Sequence, residues 1–173
     1  MTSPAFSLLP IPKLRTLEQA VRARRALAEA GGKVVLTNGC FDLLHAGHIY
    51  FLQRAQLAGG AVFVAVNSDA SVRALKGPAR PIQSEIERAF ALAALACVHT
   101  VFIFDQPRLI AEIRALHPDV YVKAGDYSLE KLDRGEREAL NEVGTEIRFL
   151  PFLEKFSTTD LLHRAALAES APS

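Results

Sequence analysis

The sequence predicts an α/β fold in which five mostly parallel strands form one sheet with helices on both faces. Short apolar runs of strand length alternate along the chain with longer segments of helical periodicity. The 173 residues suit one domain with a sizeable core, and half of them are hydrophobic. No apolar run approaches the ~20 residues that a membrane-spanning helix needs. Alternation of this kind is typical of a doubly wound, Rossmann-like sheet.

Local start and stop signals place each element in turn. Thr16-Leu17-Glu18-Gln19 and Ser84-Glu85-Ile86-Glu87 are capping-box patterns that open helices, and Gly31-Gly32 and Gly59-Gly60 end them. The predicted elements are, in chain order, a helix over 16–30, a strand at 34–36, a helix at 47–57 with Ile49, Leu52 and Ala55 on one side, a strand at 61–66, a helix at 84–96, a strand at 101–104, a helix from about 105–107 to 116, a strand at 120–123, a helix at 129–143 broken near Gly135, a strand at 147–150, and a helix from 157 or 158 to 168.

The loops that follow the strands carry the candidate site, because ligands of open parallel sheets bind beyond the carboxyl ends of the strands. These loops are rich in polar residues, Gly and Lys, and they cover residues 38–47, 67–81, 105–107, 124–128 and 152–157.

Charge and cysteine content exclude several function classes. Twenty Lys and Arg against nineteen Asp and Glu give a formal charge of +1, which argues against a general nucleic-acid binder. Cys40 and Cys97 form neither a disulfide framework nor a Cys-x-x-Cys pair. The N-terminus lacks the charged and apolar segments of a secretory signal, so a cytoplasmic location is expected. Neither nucleic acid nor a membrane is expected as a partner.

The loop after the first strand has the strongest chemical signal. His45 and His48 lie three residues apart on either side of Gly47, at a strand-to-helix junction where free N–H groups attract phosphate. Both imidazoles can donate hydrogen bonds to phosphate oxygens. Two incidental histidines are the structural alternative, and a zinc site is disfavoured because no third ligand follows at a usual spacing. The dinucleotide-binding fingerprint G-x-G-x-x-G is absent, which argues against a dehydrogenase.

The stretch Gly39-Cys-Phe-Asp-Leu-Leu-His-Ala-Gly-His48 resembles the H-x-G-H signature of the cytidylyltransferase-like nucleotidyltransferases. Phe156-Ser157-Thr158-Thr159 is similar to the second signature of that superfamily, in the expected order. The resemblance covers roughly Lys33 to Ala166. It implies a domain division into an N-terminal helical extension at 1–32, a nucleotidyltransferase domain at 33–168 and a tail at 169–173.

Within that superfamily, the chain looks most like the heptose 1-phosphate adenylyltransferases. The similar segments are Asn67 to Ser71, Leu75-Lys76-Gly77, Arg80-Pro81, His117-Pro118-Asp119 and Val122 to Tyr127. Ala124 and Lys155 depart from that branch, which often has Gly at both positions. Because no segment of kinase size accompanies the domain, the chain resembles the stand-alone form rather than the form fused to a sugar kinase.

The resemblance implies that a nucleoside monophosphate passes from ATP to a sugar 1-phosphate, most closely D-glycero-β-D-manno-heptose 1-phosphate, with release of pyrophosphate. Mg²⁺ is the implied cofactor, held mainly by the triphosphate, and no metal-ligating residue is predicted. A homodimer is also expected from the resemblance. A cytidylyltransferase that uses CTP and glycerol 3-phosphate or a related alditol phosphate is the alternative within the class. A nucleotide-binding regulatory module without turnover is the alternative from another class.

The same resemblance assigns expected roles to fifteen residues. The expected catalytic residues are His45, His48, Lys76 and Arg88. The expected nucleotide-binding residues are Asn38, Gly39, Cys40, Phe41, Gly47, Asp126, Ser157 and Thr158. The expected substrate-binding residues are Asp42, Arg80 and Lys123. Structural alternatives stay open for several: a core aromatic at Phe41, loop orientation or turn capping by Asp42, a turn at Asp126, a solvated arginine at Arg88, and helix capping by Ser157 and Thr158.

Overall fold

The computed structural model describes residues 11, 13–125, 128–151, 153, 156 and 158–169. Its strands are β1 (Val34–Gly39), β2 (Ala61–Asn67), β3 (Thr100–Phe104), β4 (Val120–Ala124) and β5 (Glu146–Leu150). Its helices are α1 (Leu17–Glu29), α2 (Ala46–Gln56), α3 (Asp69–Lys76), α4 (Glu85–Ala93), α5 (Ile110–Leu116), α6 (Arg134–Glu142) and α7 (Thr158–Glu169). All five predicted strands are present.

The five strands form one sheet in the order β3-β2-β1-β4-β5, and every pair within it is parallel. The chain builds β1, β2 and β3 outward in one direction, then crosses back to place β4 on the other side of β1. The strand order therefore reverses between β1 and β4, which is where open α/β sheets bind ligands.

Each face of the sheet has its own hydrophobic core, so helices cover both faces as predicted. One core joins alternate strand residues such as Val35 and Val64 to α2 and α4. The other joins Leu36, Phe63 and their neighbours to α1, α5 and α6. Alternate side chains along a strand point to opposite faces, which explains why β2 is apolar without interruption from Ala61 to Val66 and β1 from Val34 to Leu36.

The segment before α1 is part of the sheet rather than separate from it. Leu14 forms a parallel bridge with Val101 of β3, the outer strand on that side, and Lys13 Nζ donates a hydrogen bond to Leu95 O at 2.7 Å. Ala20 of α1 is fully buried. Helix α1 and the segment before it therefore pack against the sheet.

Two stretches differ from the prediction. Residues 69–76, expected within a loop, form α3, because the Ser68 side chain caps this short helix at Ser71 N. The helix expected over 129–143 begins only at Arg134, where the Asp133 side chain accepts hydrogen bonds from Gly135 N and Glu136 N. Gly135 therefore lies in the first turn of α6 and does not break it.

Smaller differences concern helix ends and faces. Helix α4 ends at Ala93 rather than Ala96. Ile49 is exposed, whereas Phe51, Leu52 and Ala55 are the apolar side chains that α2 buries.

Candidate active site

A cleft of about 930 Å³ lies across the carboxyl ends of the strands. This volume is within the ~300–1,000 Å³ range of small-molecule sites. Twelve of the fifteen predicted residues line it: Asn38, Gly39, Cys40, Phe41, Asp42, His45, Gly47, His48, Lys76, Arg80, Lys123 and Thr158. Arg88 is not among the lining residues, and Asp126 and Ser157 lie outside the described residues.

The two histidines stand together at the start of α2. His45 is the N-cap residue and makes no capping hydrogen bond with its side chain, so the positive end of the helix dipole remains available to an anion. Its ring stacks on that of His48, with centroids 3.8 Å apart and an interplanar angle of 25°. Phe41 supports His48 from another direction at a ring distance of 5.3 Å. The predicted common orientation of the two imidazoles is thus present.

Burial keeps both imidazoles neutral near pH 7. Burial is the largest cause that lowers the pKa of His48, the nearby His45 and Lys76 add to it, and together they bring this pKa to about 4. Burial also lowers the pKa of His45. The Nδ1 atoms of both rings are buried and make no hydrogen bond within the described part of the chain. A neutral imidazole keeps one N–H, so each ring can serve as a hydrogen-bond donor without carrying a charge.

Gly47 lies in close contact with the His45 ring and with Phe156. A Cβ built at this position would lie 3.0 Å from two atoms of the His45 ring and 3.1 Å from Phe156 Cβ. A side chain in place of this glycine would therefore have to displace His45 or Phe156 by a few tenths of an ångström.

The loop between β1 and α2 has an unusual backbone that the 80–83 segment braces. Phe41 and Leu43 both have positive φ, 48° and 61°, a conformation that non-glycine residues adopt only when the surroundings enforce it. The Asp42 carboxylate accepts hydrogen bonds from Ile82 N and Gln83 N and lies 2.7 Å from Arg80 Nε. Leu43 N in turn donates to Gln83 Oε1 at 3.2 Å. Of the roles stated for Asp42, which are substrate contact, loop orientation and turn capping, the geometry favours loop orientation.

Arg88 braces the same loop from behind. Its side chain is fully buried, and its guanidinium donates to Gln83 O at 3.1 Å, to Cys40 O at 2.6 Å and to Asp69 Oδ1 at 2.7 Å. All three nitrogens are thus engaged by protein acceptors. The Arg88 side chain is therefore neither exposed to solvent nor directed at a phosphate, which were the two expectations. It connects α3 and α4 to the motif loop.

Lys76 and Arg80 bring positive charge to the same end of the cleft. Lys76 is the exposed last residue of α3, and Arg80 follows it in the connection to α4. Opposite them, Lys123 at the end of β4 donates to Asn38 Oδ1 at 2.6 Å.

Cys40 and Thr158 line the cleft beside the motif loop. Burial raises the pKa of the Cys40 thiol, and its Sγ lies 4.0 Å from Asn67 Oδ1, so the thiol is not set up as a nucleophile. Thr158, the first residue of α7, donates from its hydroxyl to Asp42 O at 2.8 Å and so holds the two signature segments together.

The far wall of the cleft is formed by Pro107, Arg108, Lys131, Leu132, Asp133 and Glu136. Of these, only Pro107 lies in a loop that the sequence analysis placed at the ligand site, and the other five were missed. Three of them, Lys131, Leu132 and Asp133, lie in a loop that the sequence analysis predicted to be part of a helix over 129–143. Among the described lining residues, five are Lys or Arg and three are acidic, and each of the three acids accepts hydrogen bonds from backbone N–H groups. The balance suits an anionic ligand.

Neither a metal-binding group nor a membrane-spanning helix is found among the described residues. No three His, Cys, Asp or Glu side chains there come together as a metal-binding group. In the same part of the chain, no helix combines the length and apolar character needed to cross a membrane.

Comparison with known proteins identifies the family. The cytidylyltransferase-like family model matches residues 36–164. The bifunctional protein HldE of Geotalea uraniireducens (strain Rf4) is 41% identical over 152 residues, which are 88% of this chain and 31% of that protein. The HldE protein of Koribacter versatilis (strain Ellin345) is 47% identical over 132 residues, which are 76% of this chain and 27% of that protein. The chain therefore spans less than a third of the length of these relatives.

Solved structures share the fold at lower identity. The lipopolysaccharide core biosynthesis protein from Thermoplasma volcanium GSS1 matches with a TM-score of 0.59 and 23% identity, over 73% of this chain and all of that one. Pantoate-beta-alanine ligase from Francisella tularensis, solved with beta-gamma ATP and beta-alanine, matches with a TM-score of 0.56 and 14% identity, over 90% of this chain and 77% of that one. The family match, the HldE relatives and the histidine cleft agree, and the chain belongs to the cytidylyltransferase-like family of nucleotidyltransferases.

Proposed function

We propose that the protein transfers AMP from ATP to a sugar 1-phosphate, D-glycero-β-D-manno-heptose 1-phosphate, to form ADP-heptose and pyrophosphate. The observation that carries the proposal is the stacked pair of neutral imidazoles, His45 and His48, at the helix N-terminus beside the strand-order reversal. Their donors and the cations around them match the needs of a triphosphate that meets a second phosphate.

The proposed reaction is a direct displacement. An oxygen of the sugar phosphate attacks the α-phosphorus of ATP, the bond from that phosphorus to the oxygen bridging to the β-phosphate breaks, and pyrophosphate leaves with the bonding electrons. The attacking oxygen is already anionic at neutral pH, so no general base has to remove a proton from it. Positioning and charge neutralisation are then the main tasks of the protein. His45 and His48 donate hydrogen bonds to the phosphates around the reacting centre, while Lys76, Arg80 and Lys123 offset their charge.

Mg²⁺ would be held in this site by phosphate oxygens of the substrates rather than by protein carboxylates. The cleft acids Asp42, Asp133 and Glu136 all accept hydrogen bonds from backbone N–H groups, so they do not form an open oxygen cage. Mg²⁺ retains several waters and binds phosphate oxygens in such sites, where it neutralises charge on the triphosphate.

The choice of ATP and heptose 1-phosphate as substrates rests on sequence similarity to known proteins. The HldE relatives are 40–47% identical to this chain over most of its length, and the segments at 117–119 and 122–127 resemble heptose 1-phosphate adenylyltransferases. The ligase from Francisella tularensis, solved with beta-gamma ATP, supports only the suitability of the fold for such a nucleotide. A homodimer remains an expectation, which light scattering tests.

Pyrophosphate release tests the proposal, measured with Mg²⁺ across ATP, CTP, GTP and UTP, each paired with heptose 1-phosphate, glucose 1-phosphate and glycerol 3-phosphate. The proposal expects the highest kcat/KM for ATP with heptose 1-phosphate and a product of the mass of ADP-heptose. A preference for CTP with glycerol 3-phosphate overturns the adenylyl assignment, and release with no pair overturns the transferase assignment. His163, an exposed histidine of α7, supplies the control: His163→Ala keeps the activity that His48→Ala loses.

A further inference from the structure

We propose that Tyr121 is a positioning residue for substrate binding. Its hydroxyl fixes the Asn38 carboxamide so that Asn38 Nδ2 and Lys123 Nζ together face a substrate phosphate at the centre of the cleft. The inference rests on the proposed function for the ligand, a phosphate of either the triphosphate or the sugar 1-phosphate.

The sheet register brings the three side chains together. Leu36 of β1 pairs with Tyr121 of β4, so the same register continued by two residues places Asn38 opposite Lys123. Positions two apart along a strand share a face, and all three side chains therefore meet on the side of the sheet that α6 covers. This is the boundary at which the strand order reverses.

The contacts determine which way the carboxamide points. Lys123 Nζ lies 2.6 Å from one terminal atom of the Asn38 side chain, and Tyr121 Oη lies 2.7 Å from the same atom. An ammonium group has only donors, so the atom that it contacts must be the oxygen, Oδ1. Asn38 Nδ2 must then point away from both partners, and Asn38 and Lys123 both line the cleft.

Burial gives Tyr121 the rigidity that this role requires. The residue is fully buried in the core that joins the sheet to α1, α5 and α6, and its ring lies 5.6 Å from Lys123 Nζ. A ring locked by packing holds its hydroxyl at a fixed point, which restricts the rotamer of Asn38 at the cleft surface. This role could not be predicted from the sequence, because Tyr121 stands between two valines in a predicted strand.

The variant Tyr121→Phe removes the hydroxyl and keeps the ring. Loss of one fixed hydrogen bond should raise the KM of the bound phosphate substrate by about threefold to tenfold, with kcat within about twofold. Separate KM values for ATP and for the sugar 1-phosphate identify which substrate supplies the phosphate. Unchanged KM values for both substrates overturn the inference.

A second hydroxyl provides the matched control. Thr145 is buried and donates from Oγ1 to Pro118 O at 2.7 Å. Both residues lie just before β5 and β4 begin, at the end of the sheet opposite to the cleft. Thr145→Val should lose stability with both KM values unchanged. If Thr145→Val raises a KM as Tyr121→Phe does, the effect is one of general stability and the inference is wrong.

A double variant tests whether Tyr121 acts through Asn38. In an Asn38→Ala background, Tyr121→Phe should leave KM unchanged, whereas an undiminished further rise contradicts the proposed route. If the wild-type protein shows no transferase activity, the proposed function has failed, and calorimetry with Mg-ATP and with the sugar 1-phosphate decides the inference separately. A weaker affinity of Tyr121→Phe for either ligand supports it, and equal affinities for both overturn it.

Discussion

Replacing Arg88 by Met should destabilise the fold strongly, because Arg88 makes its contacts with protein rather than with solvent. The substitution removes hydrogen bonds to Gln83 O, Cys40 O and Asp69 Oδ1 and leaves these acceptors without that partner. Breaking a buried ion pair from one side typically costs about 3–5 kcal/mol. The Asp69 side chain is 25% exposed and can regain water, so the lower end, about 3 kcal/mol, applies here.

Urea unfolding followed by circular dichroism measures this loss, and a thermal scan should show a midpoint lower by roughly 6–12 °C for a chain of this size. Arg134→Met is the control. Its ion pair with Glu138 is on the surface, with the Arg134 side chain 84% exposed, so the substitution should leave the midpoint of unfolding nearly unchanged. Wild-type stability in Arg88→Met combined with lost turnover would contradict this structural role, since Arg88 would then act on the ligand and not on the loop.

Three further predictions follow from the same geometry. The free energy of unfolding should fall as the pH drops from about 6.5 toward 4, because His48 takes up a proton in the unfolded chain, whereas its pKa in the folded chain is about 4. His48→Asn should flatten this slope in urea titrations at several pH values, and an unaltered slope contradicts the assignment of the slope to His48. Gly47→Ala should lower kcat/KM by tenfold or more in the pyrophosphate assay, since the new Cβ displaces His45 or Phe156; near-normal turnover would show that the cleft tolerates the shift. Gly60→Ala should cost about 1–3 kcal/mol in urea unfolding, because its Cβ would lie 2.6 Å from the backbone oxygen of Lys33; an unchanged midpoint would mean that the backbone yields freely.

Local signals predicted most of the fold. The capping boxes at Thr16 and Ser84 are both formed, and the glycine pairs do follow α1 and α2. Such signals work because the capping partners lie within three residues of each other, so the sequence contains both halves of the interaction. The short helix α3 escaped prediction because eight residues in a Gly- and Pro-containing stretch carry too little periodicity.

Long-range partners account for what was not predicted in the site. Arg88 contacts Asp69 across 19 residues and Cys40 across 48, and no periodicity in the sequence encodes either choice. The carboxylate of Asp42 is similarly satisfied by a segment 40 residues away. The motif loop alone identified the histidine pair, since His45 and His48 lie within one turn of each other. The partners that orient the loop became apparent only with the strand order and the packing of α3 and α4.

If the protein has the proposed function, AMP transfer depends on the histidine cleft. The most direct measurement is the yield of ADP-heptose and pyrophosphate from Mg-ATP and heptose 1-phosphate, compared between the wild-type protein and His48→Ala at equal folded concentration. We expect equal amounts of the two products from the wild-type protein and a rate lower by roughly 100-fold or more in the variant. Transfer that continues in His48→Ala at nearly the wild-type rate, or pyrophosphate released without ADP-heptose, would contradict it.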